Sequence, residues 1–424
     1  MIDIKKLREN PDAFKEGWKA RGLDVDVAGI LAKDQEWREI ISKVEELRNV
    51  RTTESKKIGE IKKSGGDATE QMAAVKKIGD DIKDFDDRAN AISEEIKNTL
   101  LELPNPPSEY TPVGSTEEDN PFVRDWGTKP EFDFEPKAHW DLGEELGILD
   151  MPRGAKLSGS GFALYRGAGA QLERALINFF LDRHGENDYE ECWTPFLVNE
   201  KTMTGTGQLP KFREELYHSE KDDLYLIPTA EVPVTNIYSD EILEAEELPK
   251  YMTAFTPCFR REAGAAGKDT RGIIRMHQFS KVEMVKLVEP ETSYTELETL
   301  VADAEQLLQN LGLHYRVIEL CSGDIGFSAA RCYDIEVWAP GQGRYLEVSS
   351  CSNFEDFQAR RCNLRYRPGK GEKPQFLHTL NGSGLALPRC MVAILETYQR
   401  EDGSIEIPDE LVPYMNGKTE ITLK

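Results

Sequence analysis

Apolar positions recur with a seven-residue period over residues 27–103. In the first run Ile30, Trp37, Val44 and Ile58 fall seven or fourteen apart, with Ile40, Leu47 and Ile61 three positions on. In the second, Val75, Ile82, Ala89, Ile96 and Leu103 are seven apart, with Ile78, Phe85 and Ile92 between them. Ser64-Gly65-Gly66-Asp67 interrupts the pattern. Two heptads separated by a glycine turn predict a helical hairpin packed as an antiparallel coiled coil. A helix over 27–63 would be about 55 Å long, and such a rod must project or find a partner. Leu103-Pro104-Asn105-Pro106-Pro107 closes it, since three prolines cannot continue a helix.

Residues 108–136, rich in Pro, Glu, Asp and Gly, read as a linker or an ordered crossover. From His139 onward the pattern becomes mixed. Gln171–His184 is an amphipathic helix with Leu172, Ala175, Leu176, Phe179 and Phe180 on one side, running into a strand that ends at Trp193-Thr194-Pro195. Met203–Phe212 reads as a loop and Asp223–Glu231 as a strand. Thr292–Leu311 is a long helix, followed by strands near His314–Leu320, Tyr333–Trp338 and Arg344–Ser350. Leu377–Gln399 opens with a turn at Asn381-Gly382-Ser383-Gly384 and continues as a helix from about Leu387. These strands are not separated by regular crossover helices. The expected class is therefore α+β, an antiparallel sheet flanked by helices behind the N-terminal hairpin. No GxxxxGK[ST] occurs, and no GxGxxG follows a strand, so a bound nucleotide would not sit on a P-loop.

The densest chemistry lies in 253–287. Two strands, Thr253–Glu262 and Ile274–Leu287, are expected to flank a loop of Gly, Ala and charged residues over Gly264–Gly272. Alternation would place Arg260 and Glu262 on one face of the first strand, and Arg275, Phe279 and Glu283 on one face of the second. That second face spans about 26 Å. A surface holding a base, phosphates and an ammonium group requires this mixture of ring, guanidinium and carboxylate. The plainer alternative is an amphipathic hairpin with one wet face.

Composition narrows the class. The chain has 424 residues, 31% charged and 39% hydrophobic, enough for two or three globular domains. No run approaches the roughly 20 apolar residues of a membrane span, and the N-terminus has no apolar signal region. Seven cysteines without CxxC spacing fit a reducing compartment, and a cytoplasmic location is expected. The net charge of −24 argues against a polyanionic partner until its distribution is examined. Residues 48–77 carry Arg48, Arg51, Lys56, Lys57, Lys62, Lys63, Lys76 and Lys77 against four acidic residues, a net +4. The rest of the rod, 27–47 and 78–103, nets −7. A basic tip on an acidic stem would draw a polyanion to the far end; a solvated coiled-coil surface is the alternative. The six histidines form no HxH or HExxH pattern, so a catalytic zinc is not expected.

The Phe259-Arg260-x-Glu262 run followed by Arg275-x-x-x-Phe279 resembles the second signature motif of class II aminoacyl-tRNA synthetases. Gly384-Leu385-Ala386-Leu387-Pro388-Arg389 resembles the third, and the helix and strand over Leu172–Pro195 the first. The finer resemblance is to bacterial-type seryl-tRNA synthetases. FALYRGAGAQLERAL, TGTGQLPKF, PTAEVPVTN, DTRGIIRMHQFSKVEMV, YDIEVW, EVSSCSNFEDFQARR and HTLNGSGLA follow that family's order over 162–396. The hairpin in front and the LVPYM ending extend the resemblance over nearly the whole chain. Pro388 departs from the glycine more common there, which proline's tolerance near a helix start makes harmless. The tail after Met415 matches nothing in the family pattern.

The resemblance implies a serine–tRNA ligase, with residues 1–107 as a tRNA-binding domain (hairpin about 27–103) and 108–424 as a class II catalytic domain. It would activate L-serine with ATP to seryl-adenylate, then pass the seryl group to the 3′ end of tRNA-Ser, and of tRNA-Sec, which family members often charge. Arg260 would bridge the serine carboxylate and the α-phosphate, with Arg261 beside it and Glu262 accepting from the adenine amino group. Phe279 would stack beneath adenine in a pocket lined by Met276, His277 and Gln278. Arg275 and Arg389 would hold the outer phosphates, Arg389 also covering the base; Arg260 and Arg389 are the implied catalytic residues. Arg271 is a weaker candidate for pyrophosphate or the tRNA end. In Glu347-Val348-Ser349-Ser350, part of the ATP site, Glu347 and Ser350 would bind Mg²⁺. Thr229 and Glu231 would take the serine ammonium, and Glu283 and Ser383 its hydroxyl. The basic arm tip would contact the long variable arm of tRNA-Ser. In the family's homodimer, one subunit's arm would reach tRNA seated on the other. The loop over Gly264–Gly272 would order when ATP or the tRNA end arrives. Competing readings are a synthetase-like ligase that charges a carrier protein, or a non-catalytic tRNA-binding paralogue. The basic arm argues against the first, and intact Arg260, Glu283, Glu347 and Arg389 against the second.

Overall fold

The computed structural model describes residues 1–263 and 271–423. The expected loop Gly264–Gly272 therefore lies outside the described residues except for its last two positions. Two compact units are present: residues 2–19 with 23–103, and Met1, Ala20–Gly22 and the chain from Pro104 onward. Among the described residues no helix is long and apolar enough to cross a membrane.

The first unit is dominated by two helices, α1 (Val27–Lys63) and α2 (Thr69–Glu102). Asp26 caps α1, its carboxylate accepting from the Gly29 amide, and Lys62 and Lys63 complement the helix dipole at the other end. The seam is the heptad pattern: Ile40, Val44, Ile82 and Ala89 are buried, with Trp37, Leu47, Ile78, Phe85 and Ile92 against them. Arg48–Asp86 and Arg88–Glu36 ion pairs cross it. The buried residues of both helices lie within 27–44 and 82–100, so the apolar seam thins toward the tip.

The second unit is built on an eight-stranded sheet. Its strands in chain order are β1 (Phe122–Trp126), β2 (Glu190–Glu191), β3 (Lys250–Phe259), β4 (Gln278–Val288), β5 (Tyr315–Glu319), β6 (Arg331–Ala339), β7 (Arg344–Asn353) and β8 (His378–Ala386). Their spatial order is β1-β5-β6-β7-β8-β4-β3-β2. All neighbours run antiparallel except β2 beside β3. The stretch 108–136 thus supplies an edge strand. Helices α3 (Ala168–Glu186), α4 (Ser293–Asn310) and α5 (Leu387–Thr397) cover one face. Phe179, Phe180, Leu300, Val301, Met391 and Ile394 from them share one buried core with Val282 and Met284 of β4. Burying each such side chain is worth roughly 1.5–3 kcal/mol. The alternate β4 residues, Phe279, Lys281 and Glu283, face a cavity on the other side.

Several local expectations change. Strand β3 stops at Phe259, so Arg260 and Glu262 lie past its end rather than on one strand face. The Arg260 amide still bonds to His277 O, but Arg261 turns to Glu215 O, and Glu262 adopts a left-handed φ of +51°. Strand β4 begins at Gln278, leaving Arg275 in a bend ahead of it. Asn381–Gly384 is no turn but the middle of β8. Its glycines answer close approach: a Cβ on Gly382 would meet Cys351 Sγ at 2.6 Å, and one on Gly384 would meet His184 Nε2 at 2.2 Å. The expected strand Asp223–Glu231 is reduced to Leu224–Leu226. Pro228 has no amide to continue a ladder, and a short helix starts at Glu231. Within the expected loop 203–212, a helix over Glu200–Thr206 is capped by Asn199. The strand before Pro195 is only Glu190–Glu191, with Trp193 and Pro195 beyond it.

Candidate active site

A cavity of about 750 Å³ opens at the ends of β3 and β4 and over β7 and β8. It brings together Thr229, Glu231, Arg260, Glu262, Arg275, Met276, Phe279, Glu283, Glu347, Ser350, Ser383 and Arg389. Residues scattered over 160 positions of sequence meet there because adjacent antiparallel strands present them side by side.

One end is rich in guanidinium. The Arg260 guanidinium lies 5.1 Å from the Phe279 ring centroid, covering one ring face. Its Nε donates to Pro228 O at 3.2 Å, and its terminal nitrogens bond to none of the described residues. Glu262 and Arg275 form an ion pair at 2.6 Å with the carboxylate only 16% exposed. Helix α5 begins at Leu387 with Pro388 in its first turn, where the missing amide costs nothing. Arg389 follows, donating from Nη1 to Glu347 O at 2.7 Å, with Glu347 Oε2 at 3.5 Å.

On β7 and β6 an oxygen-rich corner forms. Ser350 stands across from Asp334, and burial followed by the nearby Glu347 carboxylate pushes the Asp334 carboxyl well up. Two crowded carboxyls and a hydroxyl make a donor set suited to a hard cation, and Mg²⁺ takes only one or two protein ligands. Among the described residues no group of three or more His, Cys, Asp or Glu is placed to hold a metal.

The opposite end is small and polar. Ser383 pairs directly with Glu283 across β8 and β4. Ser349 turns inward and donates to Ser383 O at 2.6 Å. Burial, and then the Glu283 carboxylate, lift Glu231 to about 7, against Lys281, Gln358 and Asn381. Gln358 donates to Glu231 Oε1 at 2.6 Å. Behind the wall, burial lowers His184 to about 4, so it serves as a neutral partner of Gly384 O.

Other expected residues fall outside the lining. His277 stacks on Phe162, Gln278 is exposed, Arg261 is exposed, and Val348 and Ser349 are buried behind the strand. Arg271 rests on Trp140, with Asp141 at 3.9 Å. In the first unit all eight arm residues are exposed. Arg48 pairs with Asp86 and Lys57 with Glu54; Arg51, Lys56, Lys62, Lys63, Lys76 and Lys77 form no ion pair among the described residues. Sequence reasoning missed Lys281, Asn381, Gln358 and Asp334. Only Lys281 carried a signal, being two residues from both Phe279 and Glu283 on the same strand.

Known proteins match the chain over both of its parts. The model of the class II tRNA synthetase core domain (G, H, P, S and T) matches residues 212–398, and that of the seryl-tRNA synthetase N-terminal domain matches 1–107. The chain is similar to the serine–tRNA ligase of Syntrophomonas wolfei, 54% identical over 422 residues and 99% of each chain. That of Geobacter sulfurreducens is also 54% identical, over 99% of this chain and 100% of the relative. Among solved structures it resembles the Pyrococcus horikoshii seryl-tRNA synthetase complexed with ATP, with a TM-score of 0.95, 39% identity and full coverage of both chains. The cytoplasmic serine–tRNA ligase of Naegleria fowleri in complex with AMP gives 0.89 and 31% identity, covering 100% and 99%.

Proposed function

The chain belongs to the seryl-tRNA synthetase family, and from that premise we propose that it activates L-serine with ATP and transfers the seryl group to tRNA-Ser. The observation that carries this reading is a single cavity with guanidinium groups at one end and the Glu283–Ser383 pair at the other. A carrier-protein ligase is not favoured, since the match spans the N-terminal domain and the full length of the relatives.

Both half-reactions displace at an electron-poor centre, so positioning and charge stabilisation outweigh a general base. The two terminal nitrogens of Arg260 would grip the serine carboxylate and the α-phosphate as a planar fork. Phe279, which lines the cavity, would stack against adenine, and Glu262 would accept from its amino group. Arg275 and Arg389 would neutralise the outer phosphates. Glu347 and Ser350, with Asp334 beside them, would hold Mg²⁺, which when bound supplies charge neutralisation on phosphate oxygens. At the small end Glu231 would take the ammonium and Glu283 with Ser383 the hydroxyl.

Residues 1–107 would form the tRNA-binding domain and 108–424 the catalytic domain, with the eight basic arm residues meeting the tRNA variable arm through phosphate and shape. tRNA-Sec, which members of the family often charge, stands as a candidate second acceptor. A homodimer is proposed as well, supported by Trp193, 75% exposed beside Phe196 and Phe255 at the β2 edge of the sheet. A cytoplasmic location is supported by seven free thiols. ATP–pyrophosphate exchange with serine, alanine, threonine and glycine side by side tests the reading. Exchange with serine far above the other three is expected; exchange indifferent to the hydroxyl would remove it.

A further inference from the structure

Lys281 has no role in the scheme above, yet it lines the cavity with its side chain only 8% exposed. Lysine is almost never this buried without a partner. Its ammonium pairs with Glu283 Oε2 and donates to Thr229 Oγ1 at 2.7 Å. Thr229 Oγ1 also accepts the Glu231 amide at 3.2 Å and donates to Glu283 Oε2 at 3.4 Å. A hydroxyl has one proton and two lone pairs, and all three are engaged here. The Thr229 side chain is thus a brace, and not a free acceptor for a substrate ammonium.

Both partners of Glu283 fall on the same oxygen. Oε2 receives Lys281 and Thr229, while Oε1 bonds to none of the described residues. Among those residues Lys281 is also the one cation paired with either Glu231 or Glu283. We infer that Lys281 is a specificity-determining positioning residue: with Thr229 it saturates Glu283 Oε2, fixing the carboxylate so that Oε1 is the single acceptor offered to the substrate hydroxyl. This rests on the serine reading of the site. A substrate lacking the hydroxyl leaves a fixed, buried acceptor unpaired, the strongest form of rejection such a site can exert. Without the brace the carboxylate is free to turn away, and the penalty against alanine shrinks.

The test is pyrophosphate exchange by the full-length wild type, Lys281→Met and Thr229→Val, with serine and with alanine, and thermal melts as a folding control. Lys281→Met keeps the stem length and removes the charge. Its ratio of kcat/KM for serine over alanine is expected to fall tenfold or more, about the size of one charge-assisted hydrogen bond, with KM for ATP within about twofold. Thr229→Val is expected to lower the ratio less, and it carries the test alone if Lys281→Met melts below the assay temperature. An unchanged ratio, or a proportional loss with both amino acids, overturns the inference. Absence of serine-dependent exchange in the wild type would instead strike the serine reading itself.

Discussion

Ser383 stands directly opposite Glu283 in the β8–β4 ladder, and its carbonyl is tied down by Ser349 Oγ at 2.6 Å. Cross-strand neighbours sit about 4.5–5.5 Å apart at Cβ, close enough for both side chains to address one small hydroxyl. Glu283→Ala is therefore expected to collapse serine-dependent pyrophosphate exchange, and Ser383→Ala to lower kcat/KM for serine about tenfold. Exchange within a few-fold of wild type for Glu283→Ala would end the assignment of that carboxylate.

At the nucleotide end, Glu262 holds Arg275 while its own backbone is in the left-handed region, at φ +51°. Non-glycine residues kept there cost on the order of 1–3 kcal/mol and cluster at functional sites. Glu262→Ala removes the pair and the adenine acceptor together. KM for ATP should rise tenfold or more, while KM for serine moves by less than about threefold. Initial-rate kinetics with each substrate varied in turn measures both, and a parallel rise would show that the residue merely shapes the cavity.

How far the chain announces this site depends on the range of each signal. The hairpin is legible because a heptad is local: Val27–Lys63 is the expected helix and the observed one. Phe279 and Glu283 are legible because β alternation is local too. The Asn381-Gly382-Ser383-Gly384 run misleads because glycine marks both turns and crowded sheet interiors, and only the neighbours Cys351 and His184 tell them apart. Asp334 is invisible in sequence for a related reason. Its meaning comes from facing Ser350 across a ladder whose register no single strand encodes.

Glu173, on α3 behind the sheet, is lifted by burial from an ordinary value of 4.5 to about 7, with Ser280 opposing. A carboxyl raised in the folded state favours folding while protonated. That contribution is full below about pH 4.5 and is lost as pH rises through 7. Glu173→Gln keeps the shape and stays neutral. It is expected to stabilise the protein by about 1–3 kcal/mol at pH 8 and to change little near pH 5. Denaturant unfolding at the two pH values measures the difference, and equal effects at both would show that Glu173 is not the group responsible.

The arm offers the cleanest separation of the two half-reactions. Its exposed basic residues lie in 48–77, while every cavity residue belongs to the other compact unit. Leu47 and Ile78 sit in the same seam, so a short glycine turn joining them would shorten the hairpin and keep the buried stem. That deletion is expected to leave serine-dependent pyrophosphate exchange within about twofold of wild type and to abolish charging of tRNA-Ser. Replacing Lys56, Lys62, Lys63, Lys76 and Lys77 with Gln is a milder version. Each lysine–phosphate pairing removed should flatten the salt dependence of tRNA binding by close to one unit in log K against log salt, near −0.9 per neutralised phosphate on a duplex. Nitrocellulose filter binding across a salt series gives that slope directly. An unchanged slope, or full charging by the deletion variant, would place tRNA recognition elsewhere on the chain.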